Sequence, residues 1–142
     1  MNGVVYFSGY EAATGWELWK SNGTSAGTVL VKDIYPGTTS SWPSNLYAWN
    51  GNLYFSANDG SEHKTELWKS DGTAAGTILL KDIAPEEYGQ WGSKFGVSSS
   101  PSTFVAFNGA LYFVAQTYYD RYSVGDEREL WKTDGTTAVQ CL

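Results

Sequence analysis

Glu66-Leu67-Trp68-Lys69-Ser70-Asp71-Gly72-Thr73-Ala74-Ala75-Gly76-Thr77 is the stretch that decides the fold, because the chain writes its core three times. Glu-Leu-Trp-Lys returns at Glu17 to Lys20 and at Glu129 to Lys132. Each copy runs into a turn: Ser21-Asn22-Gly23-Thr24, Ser70-Asp71-Gly72-Thr73 and Thr133-Asp134-Gly135-Thr136. Upstream of each copy, Asn-Gly introduces an aromatic segment: Asn2-Gly3-Val4-Val5-Tyr6-Phe7, Asn50-Gly51-Asn52-Leu53-Tyr54-Phe55 and Asn108-Gly109-Ala110-Leu111-Tyr112-Phe113. The first two copies continue into Val29-Leu30-Val31-Lys32-Asp33-Ile34 and Ile78-Leu79-Leu80-Lys81-Asp82-Ile83. They then reach Leu46-Tyr47-Ala48-Trp49 and Thr103-Phe104-Val105-Ala106-Phe107. A unit recurring at this length is the mark of a repeat protein, whose units bury their apolar faces on one another.

A full unit thus holds four short strand-like segments. Asn-Gly between the fourth segment and the next first one is a two-residue hairpin signal, since both residues tolerate positive φ. Asp-Gly-Thr after the Trp segment marks a second tight turn. Tyr and Phe alternate along the first segment, so both faces of the sheet are aromatic. A sheet packed between two neighbours needs that pattern. The expectation is an all-β chain of antiparallel four-stranded units of the β-propeller-blade type. The alternative is a β solenoid or a sandwich of hairpins. The units fall at 2–49, 50–107 and 108–142, the last incomplete because Val139-Gln140-Cys141-Leu142 replaces its third segment. About ten strands follow, four plus four plus two, with no helix beyond a single turn.

Composition agrees. The 142 residues are 42% hydrophobic, 16% aromatic and only 17% charged, with 16 Gly and 4 Pro. That supplies a core, and the Gly and aromatic content suits turns and strands. The net charge of -6 lacks the basic footprint that nucleic-acid binding requires. No apolar run approaches a membrane span. Cys141 is the single cysteine, so no disulfide forms within the chain. Met1 to Phe7 carries neither a basic segment nor a long apolar run, and reads as no signal peptide.

These motifs resemble the ELWxxDGT repeat family of bacterial proteins, and the resemblance covers nearly the whole chain. The Glu66 to Thr77 stretch is a full match. The first unit departs at Asn22, where the family has Asp, and the third departs after Thr137. The resemblance implies a large extracellular or cell-surface repeat scaffold, and it brings no catalytic residues with it.

Trp19, Trp68 and Trp131 recur at one strand position and are expected to anchor the packing of adjacent sheets. Asp71 and Asp134 are expected to accept hydrogen bonds inside their own turns, beside Gly23, Gly72 and Gly135. Calcium at these Asp residues is the sharper alternative, and it would demand six or more oxygens. No other cofactor and no metal cluster is expected. Asn22 opens an Asn-Gly-Thr glycosylation sequon, and its plainer role is an Asx turn. Glu17, Glu66 and Glu129 recur in every unit, which argues for a structural partner, Lys32, Lys81 or the adjacent turn, over a glycosidase pair. The lone His63 lies in a polar stretch, and no nucleophile elbow, zinc spacing or phosphate loop occurs. The chain reads as non-catalytic.

Length variation is confined to the connections at one edge, where insertions mark the working face of a repeat protein. That edge carries Tyr10, Trp16, Tyr35, Trp42, Tyr88, Trp91, Phe95, Tyr118, Tyr119 and Tyr122. Exposed aromatics there suit glycan stacking or a protein interface, and their plainer role is to cap the core. Two functions are expected. The first is a structural or adhesive module joining other copies, or neighbouring repeats, into a fibre or array through its open strand edges. The second is a carbohydrate-binding module.

Overall fold

A computed structural model describes residues 1, 3–61, 64–84, 98–117 and 128–142, and the backbone of 87–88 and 94–95. Every regular element among them is a β-strand: β1 (Val5–Glu11), β2 (Gly15–Ser21), β3 (Val29–Lys32), β4 (Ser44–Trp49), β5 (Asn52–Asn58), β6 (Thr65–Ser70), β7 (Ile78–Lys81), β8 (Glu87–Tyr88), β9 (Lys94–Phe95), β10 (Ser102–Phe107), β11 (Ala110–Gln116), β12 (Arg128–Thr133) and β13 (Gln140–Cys141). All pairings are antiparallel and between chain neighbours. Sheet 1 is β1-β2-β3, sheet 2 is β4-β5-β6-β7, sheet 3 is β10-β11-β12-β13, and β8 and β9 form a separate hairpin.

The Asn-Gly turn sets where each sheet begins. Asn50-Gly51 and Asn108-Gly109 sit at φ 46° and 73°, and 47° and 76°. Both central residues are left-handed, the condition for a hairpin turn that matches strand twist. The hairpins lock β4 to β5 and β10 to β11, so the hydrogen-bonded sheet begins with the strand before Asn-Gly. The expected repeat boundaries at 49/50 and 107/108 therefore fall inside hairpins. Sheet 1 has no strand before β1, and its outer edge is unpaired among the described residues.

The third unit is longer than its sequence suggested. β13 pairs Gln140 with Lys132 and Cys141 with Trp131, and Leu142 N continues the ladder to Leu130 O at 2.9 Å. Backbone donors make this strand without the Lys-Asp-Ile pattern. The expected four, four and two strands are observed as sheets of three, four and four, and the outer edge of β12 is covered rather than open.

Registers superpose the repeats. Phe7, Phe55 and Phe113 pair with Trp19, Trp68 and Trp131 respectively. Packing then runs one way. Leu18 and Val31 of sheet 1 meet Leu53, Phe55, Ala57 and Trp68 of sheet 2. The other face of sheet 2, with Tyr54, Leu67 and Leu80, meets Leu111, Phe113, Ala115 and Trp131 of sheet 3. Each sheet thus lays its leucine face on the tryptophan face of the next.

Candidate functional site

The Asp-Gly-Thr turn is a closed set of hydrogen bonds. Asp71 Oδ1 accepts from Thr73 N at 2.8 Å and Thr73 Oγ1 at 2.7 Å, and Thr73 Oγ1 accepts from Gly76 N at 2.9 Å. These bonds hold the Asp71 carboxyl below its ordinary value. Asp134 repeats the pattern with Thr136 at 2.9 and 2.6 Å. Asn22 reproduces it with Thr24 at 3.1 and 2.7 Å, because the turn uses one side-chain oxygen and no charge. Gly23, Gly72 and Gly135 hold φ of 90°, 93° and 96°. Among the described residues no three His, Cys, Asp or Glu come together.

Glu17 and Glu66 do something else. Both are fully buried. Glu66 accepts from Ile83 N at 2.8 Å, Ser99 N at 2.9 Å and Ser99 Oγ at 2.6 Å. Glu17 accepts from Ile34 N and Ser41 N, both at 2.9 Å, and from Ser41 Oγ at 2.5 Å. The expected lysine partner is corrected: Lys32 Nζ reaches Thr77 O of sheet 2 at 2.8 Å instead. The carboxylate is the fastener of the long connection that leads to the next sheet. Removal from water pushes both carboxyls up, Glu66 to about 7, against the lowering effect of these hydrogen bonds. Glu129 is exposed and accepts from Thr117 Oγ1 at 2.7 Å.

Between sheets a second contact repeats. Lys20 Nζ donates to Gly72 O at 2.8 Å, and Lys69 Nζ donates to Gly135 O at 2.7 Å. Tyr6 and Tyr54 lie against the same two glycines. A lysine and a tyrosine of one sheet therefore grip the turn of the next. Sequence spacing showed the turn and the Lys but not this pairing, which spans the repeat.

Burial separates the two ends of the stack. Leu18 and Leu67 are 0% exposed, whereas the equivalent Leu130 is 47% exposed. Leu53 and Leu111 are 3% and 0% exposed, whereas the equivalent Val5 is 66% exposed. Trp68 and Trp131 are buried, and Trp19 is half-buried. Among the described residues, nothing covers the leucine face of sheet 3 or the tryptophan face of sheet 1.

The aromatic edge is only partly assembled. Trp16 and Trp42 stack with ring centres 5.6 Å apart and 19° between planes, and Tyr10 tilts against Trp16 at 5.6 Å. Tyr10 and Trp42 are well exposed. Tyr35 is instead half-buried against Gly60 of the next sheet. Tyr88 and Phe95 have only their backbone described, in β8 and β9. Trp91, Tyr118, Tyr119, Tyr122 and His63 lie outside the described residues. Among the described residues no helix is long and apolar enough to cross a membrane. Set against family models, curated proteins and solved structures, the chain matches none of them.

Proposed function

We propose that the chain is a non-catalytic structural or adhesive repeat module, built of propeller-blade-type sheets and joining other copies into a fibre or array. The observation that carries this reading is the pair of uncovered, unlike faces at the two ends of the stack. Leu130 and Val5 occupy positions that are sealed wherever a neighbouring sheet is present. Large apolar residues left exposed at such positions favour association. The recurring carboxylates Glu17 and Glu66 spend their oxygens on backbone donors, which suits a scaffold. The resemblance to ELWxxDGT repeats supports a location outside the cell or on its surface. Solution mass over a concentration series, with electron microscopy of the concentrated sample, tests the reading. Growth beyond the monomer is expected. A folded chain that stays monomeric throughout would overturn it.

A second reading, carbohydrate binding, is favoured by the Tyr10–Trp16–Trp42 cluster. Its equivalents in the second unit are Asn58, Thr65 and Ser100, on the same backbone frame. Trp42 and Ser100 hold φ of 52° and 45°. The fold is built there without aromatics, so this backbone does not require the three rings. Flat exposed rings suit the apolar faces of sugars.

A further inference from the structure

The geometry points to a head-to-tail docking site: the uncovered face of sheet 3, around Tyr112, Leu130 and Lys132, receives sheet 1 of a second copy, with its Gly23 turn seated on the Tyr112 ring. This rests on the reading of the chain as an assembling module and adds which surfaces meet.

The contact exists twice inside the chain. Lys20 with Tyr6 holds the Gly72 turn, and Lys69 with Tyr54 holds the Gly135 turn. Sheet 3 keeps the same grip at Lys132 and Tyr112. Its ring pair is already formed: Phe107 and Tyr112 are 6.3 Å apart, where Trp49 and Tyr54 are 5.7 Å apart on sheet 2. A hollow of about 320 Å³ is bounded in part by Tyr112, Lys132, Thr133 and Asp134, the residues equivalent to Tyr54, Lys69, Ser70 and Asp71 of sheet 2. The matching turn is equally ready. Gly23 holds the same φ as Gly72 and Gly135, and nothing lies within 4 Å of the position a side chain there would take.

The apolar parts agree. Leu130 and Leu142 stand where Leu67 and Leu80 are buried, and both are exposed. Val5 stands where Leu53 and Leu111 are buried. The two faces are unlike, so the contact is heterologous and grows or closes rather than pairing two-fold. A two-fold contact of sheet 3 on itself would set Lys132 against Lys132 and supply no turn carbonyl. The site is a face; of the two open strand edges expected from the sequence, that of β12 is covered by β13.

Val5→Lys and Leu130→Lys test this, since both side chains are exposed in the single copy and circular dichroism can confirm that each variant folds. Sedimentation of the wild-type chain should show mass rising with concentration. Each variant alone should associate at least tenfold more weakly. An equimolar mixture should reach one dimer and stop, because each variant retains the face that the other lacks. Variants that associate like the wild type, or a mixture that stays monomeric while the wild type grows, would overturn this docking site and leave the assembly reading standing. A folded wild-type chain that never associates would overturn both.

Discussion

Lys69 Nζ lies 2.7 Å from the carbonyl oxygen of Gly135, 66 residues further along the chain. Lys20 and Gly72 stand in the same relation at 2.8 Å across 52 residues. A lysine in the second strand of one sheet thus closes on the turn of the following sheet. The carboxylate of the same turn also attracts the ammonium, Asp134 acting on Lys69 and Asp71 on Lys20. Hydrogen bonds with one charged partner contribute more than neutral ones. Lys69→Met should therefore cost about 1–2 kcal/mol in chemical denaturation. Lys132→Met should cost almost nothing in the isolated monomer, where no turn faces it. Equal losses at the two positions would show that the lysine works within its own sheet.

The partner glycine gives a matched test. Gly23 and Gly135 hold nearly the same left-handed φ, so alanine at either carries the same backbone strain, roughly 1 kcal/mol. At Gly135 the added carbon would also stand 2.7 Å from the Tyr54 hydroxyl. Tyr54 is fully buried and has little room to move. Gly135→Ala should therefore lower stability by at least about 1 kcal/mol more than Gly23→Ala. Thermal melts of the two variants at low concentration measure the difference.

Trp68 separates area from polarity. Its Nε1 is buried with no hydrogen-bond partner. Trp68→Phe loses ring area and no hydrogen bond, and should cost about 1–2 kcal/mol. Trp68→Ala opens a cavity between sheets 1 and 2 and should cost about 3–5 kcal/mol. Urea titration of both variants distinguishes them, and near-equal losses would mean that the indole N–H does more than the structure shows.

What was legible in the sequence was local. Asn50-Gly51 specifies a hairpin by its own φ, and Asp71-Gly72-Thr73 closes its own turn, so neither needs knowledge of the rest of the chain. Trp68 could be placed in the core because it alternates with Leu67 on a strand. Glu66 could not be assigned, because its donors, Ile83 and Ser99, are 17 and 33 residues away on a connection without a motif. β13 escaped notice for the opposite reason. Gln140 and Cys141 form it with backbone groups, and their side chains carry no strand pattern. The direction of stacking was also hidden, since residue types at Leu18, Leu67 and Leu130 are identical and only burial tells the end from the middle.

The buried fasteners make stability depend on pH in an unusual direction. Burial raises the Glu66 carboxyl from its ordinary 4.5 to about 7. Between those values the folded chain holds a proton that the unfolded chain has released. Stability from this group is therefore full below about pH 4.5 and is lost as pH rises to about 7. The total is on the order of 3 kcal/mol. Glu17 acts in the same direction. Glu66→Gln should be less stable overall, since an amide N–H then faces backbone donors, but it should lack the Glu66 share of the slope. Denaturation at pH 4.5, 6 and 7.5 for both chains checks this. A wild-type stability that rises across that window relative to Glu66→Gln would refute the assignment.

The Tyr10–Trp16–Trp42 cluster can be removed without harming the fold. Trp16 O accepts from Ser41 N at 3.0 Å and Trp42 N at 3.3 Å, all backbone groups. In the second unit Thr65 O accepts from Ser100 N at 3.1 Å in the same way. The pair Tyr10 and Trp16 becomes Asn58 and Thr65 across the equivalent strands. The second unit therefore shows which residues suffice for this backbone. The double variant Trp16→Thr with Trp42→Ser should fold normally and lose no more than the stacking energy, about 0.5–1.5 kcal/mol. If the rings serve a glycan, the same variant should lose all binding on a saccharide array, while Trp68→Phe should keep it. Tryptophan fluorescence provides a second readout, because a sugar on the Trp42 face should alter emission of the wild-type chain and leave the double variant unchanged. A wild-type chain that binds no saccharide, or a double variant that binds as before, would remove the carbohydrate reading and leave the rings as an exposed cap on the first unit.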